Sequence, residues 1–490
     1  MTAINSNDQP SIEGLKGHTY DAGSEPPPFG HALKHFWAFD AGYVNLNHGS
    51  YGSQPLPVIF ASTKITMLAE RNPDKFHRVT YMPMLKEARG RVANLIGAEL
   101  DEVVLVPNAT HGINTVLRNF EWKESDVMLG ASTTYGAVSR TLQYLSDRSE
   151  QPRPTVHTIA YTFPMTHVEI VDRFRARIRE IKQLYPDVDF SDAPSDAVVP
   201  EGCKKKNKFV AVIDSLTSNP GVLLPWKEMV RVCKEEGVWS LVDGAHSIGQ
   251  EVDIDLREAK PDFFISNCHK WLYVKRGCAV LYVPKRNQHI IRSSLPTSHE
   301  YVSPHDPPRP WLSIDGTNFV GQHEWTGTMD QTPFLSVEAA LDFREWLGGE
   351  AKINAYCHDL AVKGGQRLAE VLGTKVMDES GELTLNMTNV LLPLPVESSP
   401  LDVYTPEILA SIHALLIERL LSEWNTYAAY YFHGGAWWCR CSAQVWNELS
   451  DFEYAGKAFS AICEEVKRTI LSNGDFSRTV QTRLPAGKSF

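Results

Sequence analysis

Trp239-Ser-Leu-Val-Asp-Gly-Ala-His246 and, after one more turn of chain, Asp262-Phe-Phe-Ile-Ser-Asn-Cys-His-Lys-Trp271 are the stretches that decide the fold. Each is a short apolar run that stops abruptly in a polar cluster. Similar runs lie at Val103–Val106, 126–129, Phe209–Ile213 and Cys278–Val283. Between them the pattern turns helical; Leu85, Ala88, Val92, Leu95 and Ile96, for instance, fall on one helical face. Continuous apolar runs without alternation, separated by helices, predict a mainly parallel sheet covered on both faces. Ligands then bind beyond the carboxyl ends of the strands. Asn108-Ala-Thr-His-Gly112, Asp214-Ser-Leu-Thr-Ser218, Asp243-Gly-Ala-His246 and Ser266-Asn-Cys-His-Lys270 are all such ends, so the four clusters should gather on one rim.

Further out the pattern changes. Residues 297–320 are rich in Pro, Ser, His and Asp and read as a long surface loop or lid, a reading extended to 325. A helix over 334–346, a strand over 390–394, a helix over 406–424 and a final helix over 452–471 predict a smaller α+β unit. The expected organisation is a loose leader (1–28), a segment packing beside the small domain (29–60), a large domain (61–330), a small domain (331–475) and a tail (476–490). No apolar run spans a bilayer, and the net charge of −11 disfavours a nucleic-acid or membrane-surface binder. The polar N-terminus lacks a signal-peptide pattern, and eight cysteines in 490 residues do not form a disulfide framework. A cytoplasmic protein is expected.

Asp243 and Lys270 carry the chemistry. Two adjacent strand ends can bring an amine and a carboxylate to one aromatic ring. That is what a pyridoxal-phosphate enzyme requires: a lysine to bind the cofactor's aldehyde and an acid to keep its ring nitrogen protonated. Taken singly, a surface lysine and a capping aspartate explain the residues as well; occurring in this order they do not. Asn108–Gly112 opens a helix whose free amides suit a phosphate, although Asn or Thr is also an ordinary cap. Tyr135 follows a strand and can stack on a ring. Arg440, in Trp438-Cys-Arg-Cys-Ser442, offers a fork for a substrate carboxylate. The glycine-rich Asn47-His-Gly-Ser-Tyr-Gly52 is a turn or a loop lying against a ligand, with Asn47, His48 and Tyr51 as substrate contacts. Ala486-Gly-Lys-Ser489 imitates the end of a P-loop, but Thr482 replaces its first glycine. Cys439 and Cys441 lack partners for a zinc site, and no metal is expected.

The words Asn45-Leu-Asn-His-Gly-Ser-Tyr-Gly, Val106-Pro-Asn-Ala-Thr, Val242-Asp-Gly-Ala-His, Ser266-Asn-Cys-His-Lys-Trp and Gly327-Thr-Met-Asp resemble the class V aminotransferase superfamily. The similarity runs from about Phe29 to Leu471. It is strongest to the branch of isopenicillin N epimerase-like proteins and fungal hercynylcysteine sulfoxide lyases, which the stretch Arg286–His299 also resembles. The resemblance implies the PLP-dependent transferase fold type I, a seven-stranded α/β large domain, pyridoxal 5'-phosphate as cofactor and a homodimer with sites at the interface. It implies that Lys270 holds the cofactor and acts as base, that Asp243 meets the ring nitrogen and His246 the ring hydroxyl, and that Tyr135 covers the ring. Ala109, Thr110, Asn267 and His269 would hold the phosphate, Thr328 the phosphate of the neighbouring subunit, and Arg440 the substrate carboxylate. Cysteine desulfurases tend to have glutamine in place of His246, serine in place of Asn267 and a mobile-loop cysteine that cannot be placed here, so a sulfur relay is disfavoured. The leading expectation is a carbon–sulfur lyase acting on a small amino-acid substrate such as hercynylcysteine sulfoxide, in ergothioneine biosynthesis. An epimerase or cyclase of fungal secondary metabolism would use the same residues, and an inactive dimeric scaffold would need none of them. Tyr51, Phe76, Tyr81, Trp325 and Trp437 are the candidate aromatic faces for a trimethylammonium group.

Overall fold

The computed structural model describes residues 19–148, 153–190, 206–297, 301, 303, 305, 318–396 and 404–471. Most of the lid expected at 297–325 lies outside the described residues, as do the leader up to His18 and the tail 476–490.

Among the described residues there are twelve strands: β1 (Val44–Asn45), β2 (Val103–Val106), β3 (Val127–Ala131), β4 (Thr155–Ile159), β5 (Phe209–Asp214), β6 (Trp239–Asp243), β7 (Phe263–Ser266), β8 (Ala279–Tyr282), β9 (Met387–Leu391), β10 (Thr426–Tyr427), β11 (Ala429–His433) and β12 (Ala436–Ser442). Seven form one sheet in the order β2-β8-β7-β6-β5-β3-β4, and β8 runs antiparallel to its two neighbours. The other pairings in that sheet are parallel, joined through crossover helices. This is the α/β fold expected, with one reversed strand that an apolar run cannot announce.

The apolar runs are continuous because both faces of the sheet are covered. In β5, Phe209, Ala211 and Ile213 enter one core while Val210 and Val212 enter another. In β6, Val242 joins the first core and Leu241 the second. Alternate side chains of a strand point to opposite faces. The next residues, Asp214 and Asp243, therefore emerge on the face of Val212 and Leu241, where the helix Ala109–Asn119 packs through Ile113, Val116 and Leu117. Asn108 caps that helix, accepting from His111 N at 2.8 Å.

A second sheet, in the order β11-β12-β9, is antiparallel. It shares a core with the helices Gly349–Leu372, Pro406–Ser422 and Leu449–Val466. β1 pairs in parallel with β10, so Val44 opposes Thr426 and the residues just after β1 are carried to the junction of the two sheets. The helix expected over 334–346 divides at Ser336, and the strand expected over 390–394 lies at Met387–Leu391. No helix among the described residues is long and apolar enough to cross a membrane.

Candidate active site

The four polar clusters meet in a cavity of about 190 Å³ at the carboxyl ends of β2, β3, β5, β6 and β7. Lys270, Asp243, His246, Tyr135, Ala109, Thr110, Asn267, His269 and Tyr51 all line it. Asp243 is buried and accepts from the Ala245 amide at 3.0 Å. Lys270 Nζ lies 3.1 Å from His246 Nε2. Trp271 Nε1 donates to His246 Nδ1 at 3.2 Å, which makes Nδ1 an acceptor and, in the neutral ring, leaves the proton on Nε2. A ring N–H directed at Lys270 calls for a neutral amine. Burial, helped by Arg440, pushes the Lys270 pKa down to about 7, and burial holds His246 well below the ordinary histidine range.

The end of the cavity where a phosphate is expected is built on the helix Ala109–Asn119. Asn267 Oδ1 accepts from Ala109 N at 2.9 Å, and Asn108 takes the His111 amide. The Thr110 amide between them makes no hydrogen bond to the described residues. His269 Nδ1 donates to the Cys278 carbonyl at 2.9 Å, and burial brings its pKa to about 4.

Arg440, on β12, is 1% exposed. Its Nη1 donates to Ser218 O at 2.6 Å and its Nη2 to Asn47 Oδ1 at 3.0 Å and Ser50 Oγ at 2.8 Å. These partners are all neutral, and burial lowers its pKa to about 10. A buried guanidinium with neutral partners favours the arrival of an anion.

Of the expected substrate residues, Asn47 and His48 stand elsewhere and Arg440 lies behind the cavity lining; Thr328, expected at a neighbouring subunit's phosphate, is also outside it. Asn47 reaches the site through Arg440 and does not line the cavity. His48 is 1% exposed, sits edge-on to Trp271, Tyr273 and Trp446, and donates from Nε2 to the Lys270 carbonyl at 2.7 Å. It braces the lysine backbone and has no face for a substrate. Thr328 is exposed and away from this cavity. Among the aromatic candidates, Phe76, Tyr81 and Trp437 are buried in the core, and Tyr81 Oη is taken by Glu324 O and Gln331. Trp325 packs on His77 and Tyr81, which leaves Tyr51 as the member of that set on the cavity.

Reading the sequence for chemistry passes over the supports. Asn389 on β9 binds Gly221 on both sides: its Nδ2 donates to Gly221 O at 2.9 Å and its Oδ1 accepts from Gly221 N at 3.0 Å. This ties the loop after β5 to the second sheet. Gly52 has φ +67°, and a Cβ there would stand 1.8 Å from His269 O. At Gly52 the loop thus lies against the lysine backbone, while Ser50 and Tyr51 just before it line the cavity. Gly52→Ala is expected to cost more than about 1–3 kcal/mol of stability from strain and overpacking. It should lower Tm and weaken cofactor binding together. Unchanged values of both would mean the loop does not press on residues 269–270.

The Thr110 amide left over at a helix N-terminus, an amine and a carboxylate on one cavity, and a histidine N–H beside the amine fit pyridoxal phosphate. The comparisons agree. The chain matches the aminotransferase class-V family over residues 198–393. It is 35% identical over 463 residues to an L-cysteine desulfhydrase-like protein of Epichloe uncinata, covering 90% of this chain and 97% of that one. It is 31% identical over 438 residues to the hercynylcysteine sulfoxide lyase of Schizosaccharomyces pombe, covering 89% and 98%. Among solved structures, the cystine C-S lyase C-DES in complex with cysteine persulfide aligns at 15% identity with a TM-score of 0.65, covering 86% and 98%. The chain belongs to the aminotransferase class-V family and is a pyridoxal-phosphate enzyme. Within that family it groups with the carbon–sulfur lyases and desulfhydrases.

Proposed function

We propose that the chain cleaves the carbon–sulfur bond of a cysteine-derived sulfoxide of the hercynylcysteine type, as a step of ergothioneine biosynthesis, releasing a sulfenic acid, which a separate thiol reductant then takes to the thiol, together with pyruvate and ammonia. The observation that carries this reading is the buried Lys270 amine beside His246, on one cavity with Asp243 and close to the charge of Arg440. The similarity to a sulfoxide lyase over 89% of the chain supports the substrate class.

In this reading the helix at Ala109, with Thr110, Asn267 and His269, holds the cofactor's phosphate. With the cofactor bound, Asp243 would serve the ring nitrogen, His246 the ring hydroxyl and Tyr135 the face of the ring. Pyridoxal phosphate, when bound, supplies a sink for the electron pair left on the substrate's α-carbon. Arg440 exchanges neutral partners for the substrate carboxylate and so fixes the α-carbon near Lys270. The Lys270 amine, unprotonated above about pH 7, takes the α-proton at Nζ. The bond between Cβ and sulfur then breaks, with its electron pair leaving on sulfur. Water converts the remaining three-carbon fragment to pyruvate and ammonia. The seven cysteines among the described residues are buried and none lines the cavity, so elimination suits this site better than transfer of sulfur to a protein thiol.

The test is product analysis of the holoenzyme given hercynylcysteine sulfoxide, cysteine and an S-alkylcysteine sulfoxide. Pyruvate and ammonia in equal amounts, fastest from the first, are expected. Inverted chirality at the α-carbon without pyruvate would replace this reading with epimerisation. Arg440→Ala removes the partner of a buried carboxylate, an interaction worth about 2–5 kcal/mol. KM should rise by well over tenfold with a smaller change in kcat; an unchanged KM would free Arg440 from that role. The same reading includes a homodimer, in which the exposed Thr328 serves the neighbouring subunit's phosphate. Sedimentation at dimer mass, with weaker cofactor binding in Thr328→Ala, is the expected result.

A further inference from the structure

The floor of the cavity carries two carboxyl groups. Asp214 ends β5 as Asp243 ends β6, and the two are register partners in a parallel ladder. Partners in register point to the same face. Each is 4% exposed and both line the cavity. We propose that Asp214 is a positioning residue that keeps a proton at neutral pH, so that Asp243 is the single anion of the pair and Asp214 presents a neutral O–H to the cavity. This rests on the cofactor site and not on the choice of substrate.

The surroundings of the two groups differ. Asp243 accepts the Ala245 amide and faces the Lys270 amine, with His246 beyond it. Asp214 accepts at 3.1 Å from the Thr134 hydroxyl, which itself accepts from Ala131 N at 2.9 Å. The titratable groups facing Asp214 are Asp243 from β6 and, from the residues after β4, the phenol of Tyr161. Neither is a cation. Two carboxylates side by side out of water do not both ionise, and the proton rests on the one with weaker support. Burial, then the charge of Asp243, hold the Asp214 carboxyl well above the usual range, against the opposing hydrogen bonds from the Thr134 hydroxyl and its own backbone amide. Burial also raises Asp243, but the Ala245 amide opposes the rise, as does Lys270 whenever its amine carries a charge.

An ionised Asp214 would be a second anion that competes with Asp243 for the protonated ring nitrogen and repels Asp243. A protonated one leaves a single charge where the cofactor needs it. The experiment is infrared difference spectroscopy of the full chain with aspartate 13C-labelled at the side-chain carboxyl. The label excludes the buried Glu251, and the other buried aspartates, Asp126 and Asp451, are paired with lysines. A protonated carbonyl stretch shifted by the label is expected at neutral pH, in both cofactor-free and loaded protein. It should vanish in Asp214→Asn. In Asp243→Asn it should persist at neutral pH but titrate away at lower pH than in the wild type, because the neighbouring charge is gone. A band that survives Asp214→Asn and disappears in Asp243→Asn would put the proton on Asp243 and overturn the proposal. Absence of the band in the wild type, a measurement that needs no variant, would overturn it as well.

Discussion

Lys270→Ala is expected to lower turnover by at least about 10²–10⁴-fold, the usual worth of a positioned base, and by more because the covalent hold on the cofactor is also lost. The purified variant should lack the visible band of a lysine-bound cofactor. The effect is specific because His48 supports the backbone of residue 270 from behind through its carbonyl, an interaction that alanine preserves. A second readout comes from stability. The folded pKa of about 7 lies below the ordinary 10.5 of lysine. The native cofactor-free protein therefore binds fewer protons than the unfolded chain between those values, and stability rises with pH through that window. The cost of burying Lys270 is fully present below about pH 7 and fades toward pH 10.5. Cofactor-free Lys270→Ala should accordingly gain most in Tm, relative to cofactor-free wild type, below pH 7. A gap between the two proteins that does not change with pH would show that the amine is not buried as described.

Asp243→Asn is expected to reduce kcat on the order of 10²–10³-fold, the cost of removing one preorganised charge from a water-poor site. Asparagine keeps an oxygen for the Ala245 amide, so the chain should fold and the visible band should remain. What disappears is the anion that keeps the ring nitrogen protonated, and with it the electron sink. KM should change little, because Arg440 and the phosphate end are untouched. If KM and kcat changed together, Asp243 would be contributing to substrate binding instead.

The layout of the large sheet was legible because its strands are covered on both faces. Phe209 to Ile213 alternate between two cores, so the run contains no polar break. The reversed direction of β8 was not legible, since Ala279–Tyr282 is as apolar as its parallel neighbours. The helix Gly349–Leu372 was missed for a different reason. It contains Gly364 and Gly365, which lower helix propensity, and a Cβ on the second would stand 2.2 Å from Thr388 Oγ1. Close packing on β9 demands the glycine that local propensity opposes.

In the site, Lys270 and Asp243 were readable because the chemistry demands particular residue types at neighbouring strand ends. His48 was read as a substrate contact because its true partner is a backbone carbonyl 222 residues away, which leaves no mark in the sequence. Asp214 was visible at a strand end but had no assigned role. Its significance comes from register with Asp243, and register between strands is set by packing rather than by either strand's composition. Asn389 had less signal still: it is a buried polar residue in a strand, explained by the two bonds it makes to Gly221.

The measurement that tests the central claim most directly is borohydride reduction of the loaded enzyme followed by peptide mass mapping. Reduction makes the bond between cofactor and lysine permanent, so the site of attachment can be read from the modified peptide. A pyridoxyl group confined to Lys270 is the predicted result. A modification on another lysine, such as the nearby Lys275, or no modification in an enzyme that turns over substrate, would contradict it.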